Sequence, residues 1–295
     1  MALLWLKRVQ KIQFWIIKSQ KSFLVWVSVI LISCSVDSAK NHYVLAEKLW
    51  SDQKYVAAVA EFERAAAKDP RSLLGQQANY RAAMTQFLFL FQYNDAIRKF
   101  KSFVETSSDG PMAWDAQIKI GEILFSKLDH YDQAIVHYQS LIREKPTALE
   151  VPEFFFRIAK SQFYLFQFKE ALKTFRELNQ RFPKTKWGEK AEFEVGITYF
   201  TCGEHHSEEL GIKSNVYESA IEAYKRFIQD YPQSELVGEA HFGVASCLEE
   251  LDRLDEALIA FEGLKKKHPS PYVIDVKLNR IRQRLVHREG RKTFQ

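Results

Sequence analysis

Apolar and small residues recur in this chain with a fixed spacing. Take an aromatic or aliphatic position as zero; alanine then stands at +3, an aromatic at +7 and proline at +15. Tyr55, Ala58, Phe62 and Pro70 satisfy the pattern, as do Tyr131, Ala134, Tyr138 and Pro146. So do Phe168, Ala171, Phe175 and Pro183; Tyr217, Ala220, Tyr224 and Pro232; and Leu254, Ala257, Phe261 and Pro269. A further copy, Tyr93, Ala96 and Phe100, has Ser108 in place of proline. Positions 0, +3 and +7 share one face of an α-helix, and proline ends that helix because it lacks the amide and clashes with the preceding turn. The spacing predicts six such helices, here called B.

A second helix, A, is predicted ahead of each. Small residues occupy one fixed place on it: Ala46, Ala83, Gly121, Ala159, Gly196 and Ala245. Small side chains let two helices approach closely, and the +3 alanine of helix B is the matching contact. The helical hairpin therefore repeats, its helix B opening at Tyr55, Tyr93, Tyr131, Phe168, Tyr217 and Leu254, at intervals of 38, 38, 37, 49 and 37 residues. The long interval marks an insertion, Thr201 to Asn215, inside the fifth hairpin. Tyr272 to about Arg288 reads as an amphipathic helix that covers the open end of the stack, as solenoids require. The expected fold class is all-α: a solenoid of about six helical hairpins over residues 42–271, with a capping helix and basic tail at 272–295.

These residues resemble the tetratricopeptide repeat, and the resemblance runs from about Tyr43 to Pro269. The long repeats with Tyr-Pro or Phe-Pro endings, such as Phe227 to Ser234, are similar to those of periplasmic lipoproteins of the BamD type and of the Tol-Pal-associated repeat protein. That resemblance implies a scaffold in outer-membrane protein assembly or envelope coordination, with proteins or peptide segments of the envelope as partners. A second reading keeps the repeats but makes the chain an inner-membrane adaptor of another complex, such as secretion or motility.

The N-terminal segment bears on that choice. Lys7, Arg8, Lys11, Lys18 and Lys21 precede the apolar run Phe23 to Ile32, the pattern of an export signal. The run is short against the ~20 apolar residues of a spanning helix. Leu31-Ile32-Ser33-Cys34 follows and resembles the bacterial lipobox. Residues 1–33 are thus expected to be a lipoprotein signal peptide, Cys34 the lipidation site and residues 34–41 a short tether. The other reading is an uncleaved anchor with an unmodified Cys34. An upstream apolar patch, Phe14 to Ile17, leaves room for an internal start. Ser35, under the sorting rule that the resemblance carries, permits placement on the periplasmic face of the outer membrane.

The net charge of +5 suggests an anionic partner until it is divided. Residues 1–33 hold five bases and no acid; removing them from 42 leaves 37 bases against 37 acids. The body is neutral, so no nucleic-acid partner is expected. Arg280, Arg282, Arg284, Arg288, Arg291 and Lys292 cluster at the C-terminus, either as a solvated helix or as a contact for an acidic partner or lipid headgroups.

Candidate chemistry is sparse. Cys202, His205 and His206 with Glu204, Glu208 and Glu209 contain metal-ligand types, yet they fall in the insertion and no second ligand cluster follows. Phosphate-loop motifs are absent from the sequence. Neither a cofactor nor a small-molecule substrate is expected, and binding is favoured over catalysis. Cys202 and Cys247 have the option of a disulfide. The candidate binding face lies on the A helices at two positions seven residues apart. The first is Tyr80, Ile118, Phe156, Phe193 and Phe242; the second is Phe87, Phe125, Phe163, Phe200 and, breaking the series, Glu249. They are either core or the lining of a peptide groove, in which Lys160 would hold a carboxylate.

Overall fold

The computed structural model describes residues 38–107, 110–205, 216–265 and 269–292. Cys34, the signal segment 1–33 and His206 to Asn215 lie outside them. Thirteen helices and no strand occur among the described residues. Helix α1 covers residues 38–51, so residues 38–41 are already helical. It is followed by α2 (Tyr55–Lys68), α3 (Leu73–Leu88), α4 (Tyr93–Thr106), α5 (Pro111–Ser126), α6 (Tyr131–Glu144) and α7 (Val151–Tyr164). The remainder are α8 (Phe168–Arg181), α9 (Lys186–His205), α10 (Val216–Asp230), α11 (Val237–Glu250), α12 (Leu254–Leu264) and α13 (Pro271–Lys292). Odd-numbered helices through α11 are the A helices and even-numbered ones the B helices. The chain forms two compact units, one up to Leu128 and one from Asp129. Each is a stack of antiparallel helices.

The predicted close contacts lie in the buried interior. Ala58, Ala96, Ala134, Ala171, Ala220 and Ala257 are all fully buried, as are Ala46, Ala83, Ala159 and Ala245 opposite them. The +7 aromatics Phe62, Phe100, Tyr138, Phe175, Tyr224 and Phe261 form the apolar interior with them. In the second unit this approach is at its tightest around Tyr224. A Cβ on Gly196 or on Gly243 would fall 2.5 Å from its ring, so the tyrosine is held between α9 and α11 by two missing side chains.

The B-to-A turns are built from local chemistry. Ser72 caps α3 by accepting from the Gly75 amide at 3.1 Å, and Thr185 does the same for Gly188 at 3.0 Å ahead of α9. A Cβ on either glycine would sit about 2 Å from the carbonyl oxygen of Asp69 or Phe182. Helix α4 ends at Thr106 without the proline, on an extended Ser107 with Gly110 and Pro111 after it. The A-to-B turns share another device: one residue at positive φ. These are Gln53, Phe91, Asp129, Phe166 and Asp252. The left-handed region is open to Asp and Asn far more readily than to a bulky side chain.

One expectation is corrected. Residues 201–205, assigned to the insertion, extend α9 instead. Cys202 is fully buried there, and Gly203 lies so close to Tyr217 that a Cβ would be 2.8 Å from its ring. The added turn of α9 thus packs on the first turn of α10. Of the C-terminal arginines, read as solvated or as facing an external anion, four are paired with acids of the last hairpin while staying 36–52% exposed. Arg282 meets Glu262 at 2.9 Å, Arg284 meets Asp252 at 2.8 Å and Arg288 meets Asp255 at 2.7 Å. Arg280 bonds Glu249 through its Nε at 2.5 Å.

Candidate functional site

The candidate rings divide between the two units. In the first, Phe87 is buried with its ring 6.3 Å from that of Tyr93, while Tyr80 and Ile118 are half-buried. Tyr80 meets Phe100 and Phe103 edge-on at 5.8 and 5.5 Å, and its hydroxyl donates to Asp115. Burial, and then that hydrogen bond to a carboxylate, push its pKa well above the usual tyrosine value. Phe125 is half-buried near the end of α5.

In the second unit the pattern is more regular. Phe156 lies 5.9 Å from Phe175 and 5.0 Å from Trp187, ring centre to ring centre. Phe163 meets Phe168 at 5.7 Å, Phe193 meets Tyr224 and Phe227 at 5.8 and 5.4 Å, and Phe200 meets Tyr217 at 5.7 Å. Phe242 meets Phe261 at 5.5 Å. Each ring therefore closes its own hairpin by leaning on helix B, in the edge-to-face or tilted geometry that aromatic pairs favour. Phe156, Phe163, Phe193 and Phe200 nevertheless stay only half-buried. One part of each ring serves the hairpin and another faces solvent.

Lys160, expected to clamp a ligand carboxylate, already holds one. Its ammonium lies 3.0 Å from Glu194, both side chains being only 14% exposed. It also stands over the rings of Phe163 at 4.7 Å and Tyr164 at 5.0 Å. The sequence carried a signal for this pair that the aromatic series obscured. Lys160 stands one residue after the small residue of α7, and Glu194 two before that of α9. Glu47 and Arg81 occupy the same two places in α1 and α3, and their bidentate bond measures 2.8 and 2.9 Å. Opposite charges 34 residues apart thus join successive A helices.

Glu249, where the series breaks, is completely buried. Lys277 reaches it at 2.9 Å, Arg280 bonds it, and Arg284 donates to its carbonyl at 3.4 Å. All three bases come from α13. A second buried carboxylate, Glu192 on α9, is far less provided for. One of its oxygens has no partner, its nearest cation, Arg226, stands 3.8 Å away, and burial raises its pKa.

The remaining candidates stay apart. Cys202 and Cys247 are both buried and are not joined by a disulfide. Among the described residues no group of three or more His, Cys, Asp or Glu side chains could hold a metal ion. No helix among them is long and apolar enough to cross a membrane.

Residues 115–148 and 153–185 match one family model for the tetratricopeptide repeat, and residues 212–270 match another. These are tetratricopeptide repeats. Such repeats are modules of protein–protein interaction, and the all-α fold described above is theirs. Among solved structures the chain is similar to YrrB, a repeat protein described as having an unusual peptide-binding site. That likeness has 18% identity and a TM-score of 0.44 over 68% of this chain and 89% of YrrB. It is also similar to PilW, a type IV pilus biogenesis factor, at 14% identity and a TM-score of 0.49, over 80% of this chain and 97% of PilW. MamA of Desulfovibrio magneticus RS-1 aligns at 12% identity and 0.46, over 68% and 98%. No curated protein sequence matches.

Proposed function

We propose that this chain is a lipid-anchored scaffold of the cell envelope. It binds other proteins through the aromatic face of its A helices, in outer-membrane protein assembly or envelope coordination. The observation that carries this reading is the half-buried state of Phe156, Phe163, Phe193 and Phe200 at equivalent places on α7 and α9. Rings already fixed by helix B offer contact area at little further entropic cost. The charges beside them are matched within the fold, as with Lys160 and Glu194. The face therefore suits a partner segment rich in apolar groups, with selectivity set by shape. The anchor is Cys34, on the strength of the charged and apolar segments ahead of it and the lipobox-like Leu31 to Cys34.

Two experiments test the two halves. Intact mass of protein taken from membranes, wild type beside Cys34→Ala, is expected to show a mature species beginning at acylated Cys34 that the variant lacks. A full-length unacylated chain rejects the anchor. For the binding face, Phe156→Leu and Phe163→Leu keep most of the side-chain volume while removing the ring. Loss of in-cell crosslinking to envelope proteins, with an unchanged melting curve, is the expected result. Crosslinking that survives both substitutions rejects this face as the binding surface.

A further inference from the structure

A helix that caps a solenoid ordinarily turns a polar face to water. Helix α13 does not. Its buried side is Ile274, Leu278 and Ile281, set against the last hairpin. Its opposite side carries Tyr272, Val276, Asn279, Gln283 and Val286, all exposed, at alternating steps of four and three residues. That is the spacing of a seam between two helices. Tyr272 is 79% and Val286 67% accessible, and Val273 is exposed beside Tyr272. Helix α12 adds Ile259, 70% accessible. It stands four residues after Asp255 and three before Glu262, so it shares a face with the two acids that hold Arg288 and Arg282 of α13. Exposed apolar residues gathered in this way mark an interaction surface.

We propose that this stripe of α13 pairs antiparallel with the same stripe of a second copy of the chain. The stripe is its own complement. Reversal about Asn279 sets Tyr272 opposite Val286 of the other copy and Val276 opposite Gln283. Asn279 then meets Asn279, where each amide can both donate and accept. A two-fold interface demands this reciprocity, and one amide at the centre of a seam fixes its register.

The charges along the edges favour the same arrangement. Asp275 and Arg282 line one edge, bonded within the chain to Lys265 at 2.7 Å and to Glu262 at 2.9 Å. A parallel pair would bring Asp275 to Asp275 and Arg282 to Arg282. The antiparallel pair brings Asp275 to Arg282 of the other copy, twice, and joins the bonded pairs into a row of alternating sign. On the other edge Arg280 meets its own copy, but each Arg280 is held by the buried Glu249. Lys277, Arg284 and Arg288 are also matched, by Glu249, Asp252 and Asp255. From Tyr272 to Val286 the seam is about 21 Å long, toward the small end of specific interfaces. Every group it uses lies on α12 or α13, and neither acylation of Cys34 nor the aromatic face of the A helices is needed.

Cysteine crosslinking tests it in the full chain expressed in cells, oxidised with copper–phenanthroline and run without reductant. Each variant is compared with the parent chain, which retains Cys34, Cys202 and Cys247. Asn279→Cys lies at the two-fold centre and is expected to give a dimer several-fold above Val136→Cys, a 65% exposed position on α6. Tyr272→Cys alone is expected to stay at the level of Val136→Cys, and its co-expression with Val286→Cys to restore the dimer. A dimer at Asn279→Cys no greater than at Val136→Cys overturns the proposal. Strong self-linkage of Tyr272→Cys overturns the antiparallel pairing, and an Asn279→Cys adduct of any mass other than the dimer's overturns the second copy as occupant. Adding Val276→Glu and Val286→Glu to Asn279→Cys is expected to abolish the dimer while leaving the circular-dichroism melt unchanged. A dimer that survives both charges overturns the seam as the contact.

Discussion

At the second candidate position of the A helices, α7 and α9 close their hairpins with a ring, whereas α11 carries a buried charge. The two regions use equivalent positions for these opposite solutions. Phe163 and Phe200 seal their hairpins against Phe168 and Tyr217, while Glu249 in the same place on α11 is buried under Lys277, Arg280 and Arg284. An inner A helix has a further hairpin stacked on it, so rings can be shared in both directions. Beyond its own hairpin the last A helix has only α13, part of which faces water. The buried Ile274, Leu278 and Ile281 seat that terminal helix by apolar contact, and the carboxylate with its charged partners adds a directional contact that fixes its register. Glu192 sharpens the contrast: it is also buried, but it lies in the ring-closed region and has one cation at 3.8 Å.

The largest expected effect comes from stripping the clamp. Lys277→Ala with Arg280→Ala leaves a buried carboxylate nearly unpaired and should cost about 3–5 kcal/mol, read as a fall in the urea midpoint. An effect within experimental error would show the charge closure to be ornamental. Next is Gly243→Ala. The new methyl group meets the Tyr224 ring at 2.5 Å, and the overpacking should cost about 1–3 kcal/mol; Ala at the exposed Gly238, where the added Cβ meets nothing, is the control.

Glu192→Gln should act in the other direction. Burial favours the protonated form of Glu192 in the fold, so its ionised form is a penalty at neutral pH. That penalty is relieved as pH falls through the raised folded-state value toward the ordinary carboxylate value. The variant should melt higher than wild type at pH 7, by on the order of 1 kcal/mol, and the gain should shrink in acid. A gain that is independent of pH would contradict the assignment to charge. The smallest effect is expected from Phe166→Asn. Relief of the left-handed strain offsets loss of a half-exposed ring contact with Phe168 at 5.9 Å. The melt should move by less than about 1 kcal/mol.

The fold was legible because its signals are periodic and its contacts are short. Alanine at +3 and the small residue on helix A must meet in every hairpin, and each pair described is fully buried. The ends of the pattern were harder to read. Arg280 and Arg288 look like an excess of charge along the sequence, since Glu249 and Asp255 lie 31 and 33 residues earlier and reach them only once α13 is seated. The extension of α9 rests on Gly203 fitting under Tyr217, a contact across the insertion that spacing does not encode. At the candidate site the positions of the rings were legible, and their lean toward helix B was not. Periodicity gives the face of a helix and leaves open which neighbour a ring on its margin touches.

The place of Tyr224 has a bearing on how such a chain can change length. Arrays of repeats grow and shrink by duplicating or losing whole hairpins, which succeeds when each boundary resembles the others. Here one boundary is unlike the rest. The position of Gly243 on α11 is filled by Arg81, Lys119, Arg157 and Glu194 on the preceding A helices, and none of those side chains fits beside a ring that needs a glycine there. The fifth and sixth hairpins are therefore fitted to one another, and shuffling that set the fifth against another A helix would require Tyr224 to take a different position, as Tyr138 does beside Phe154.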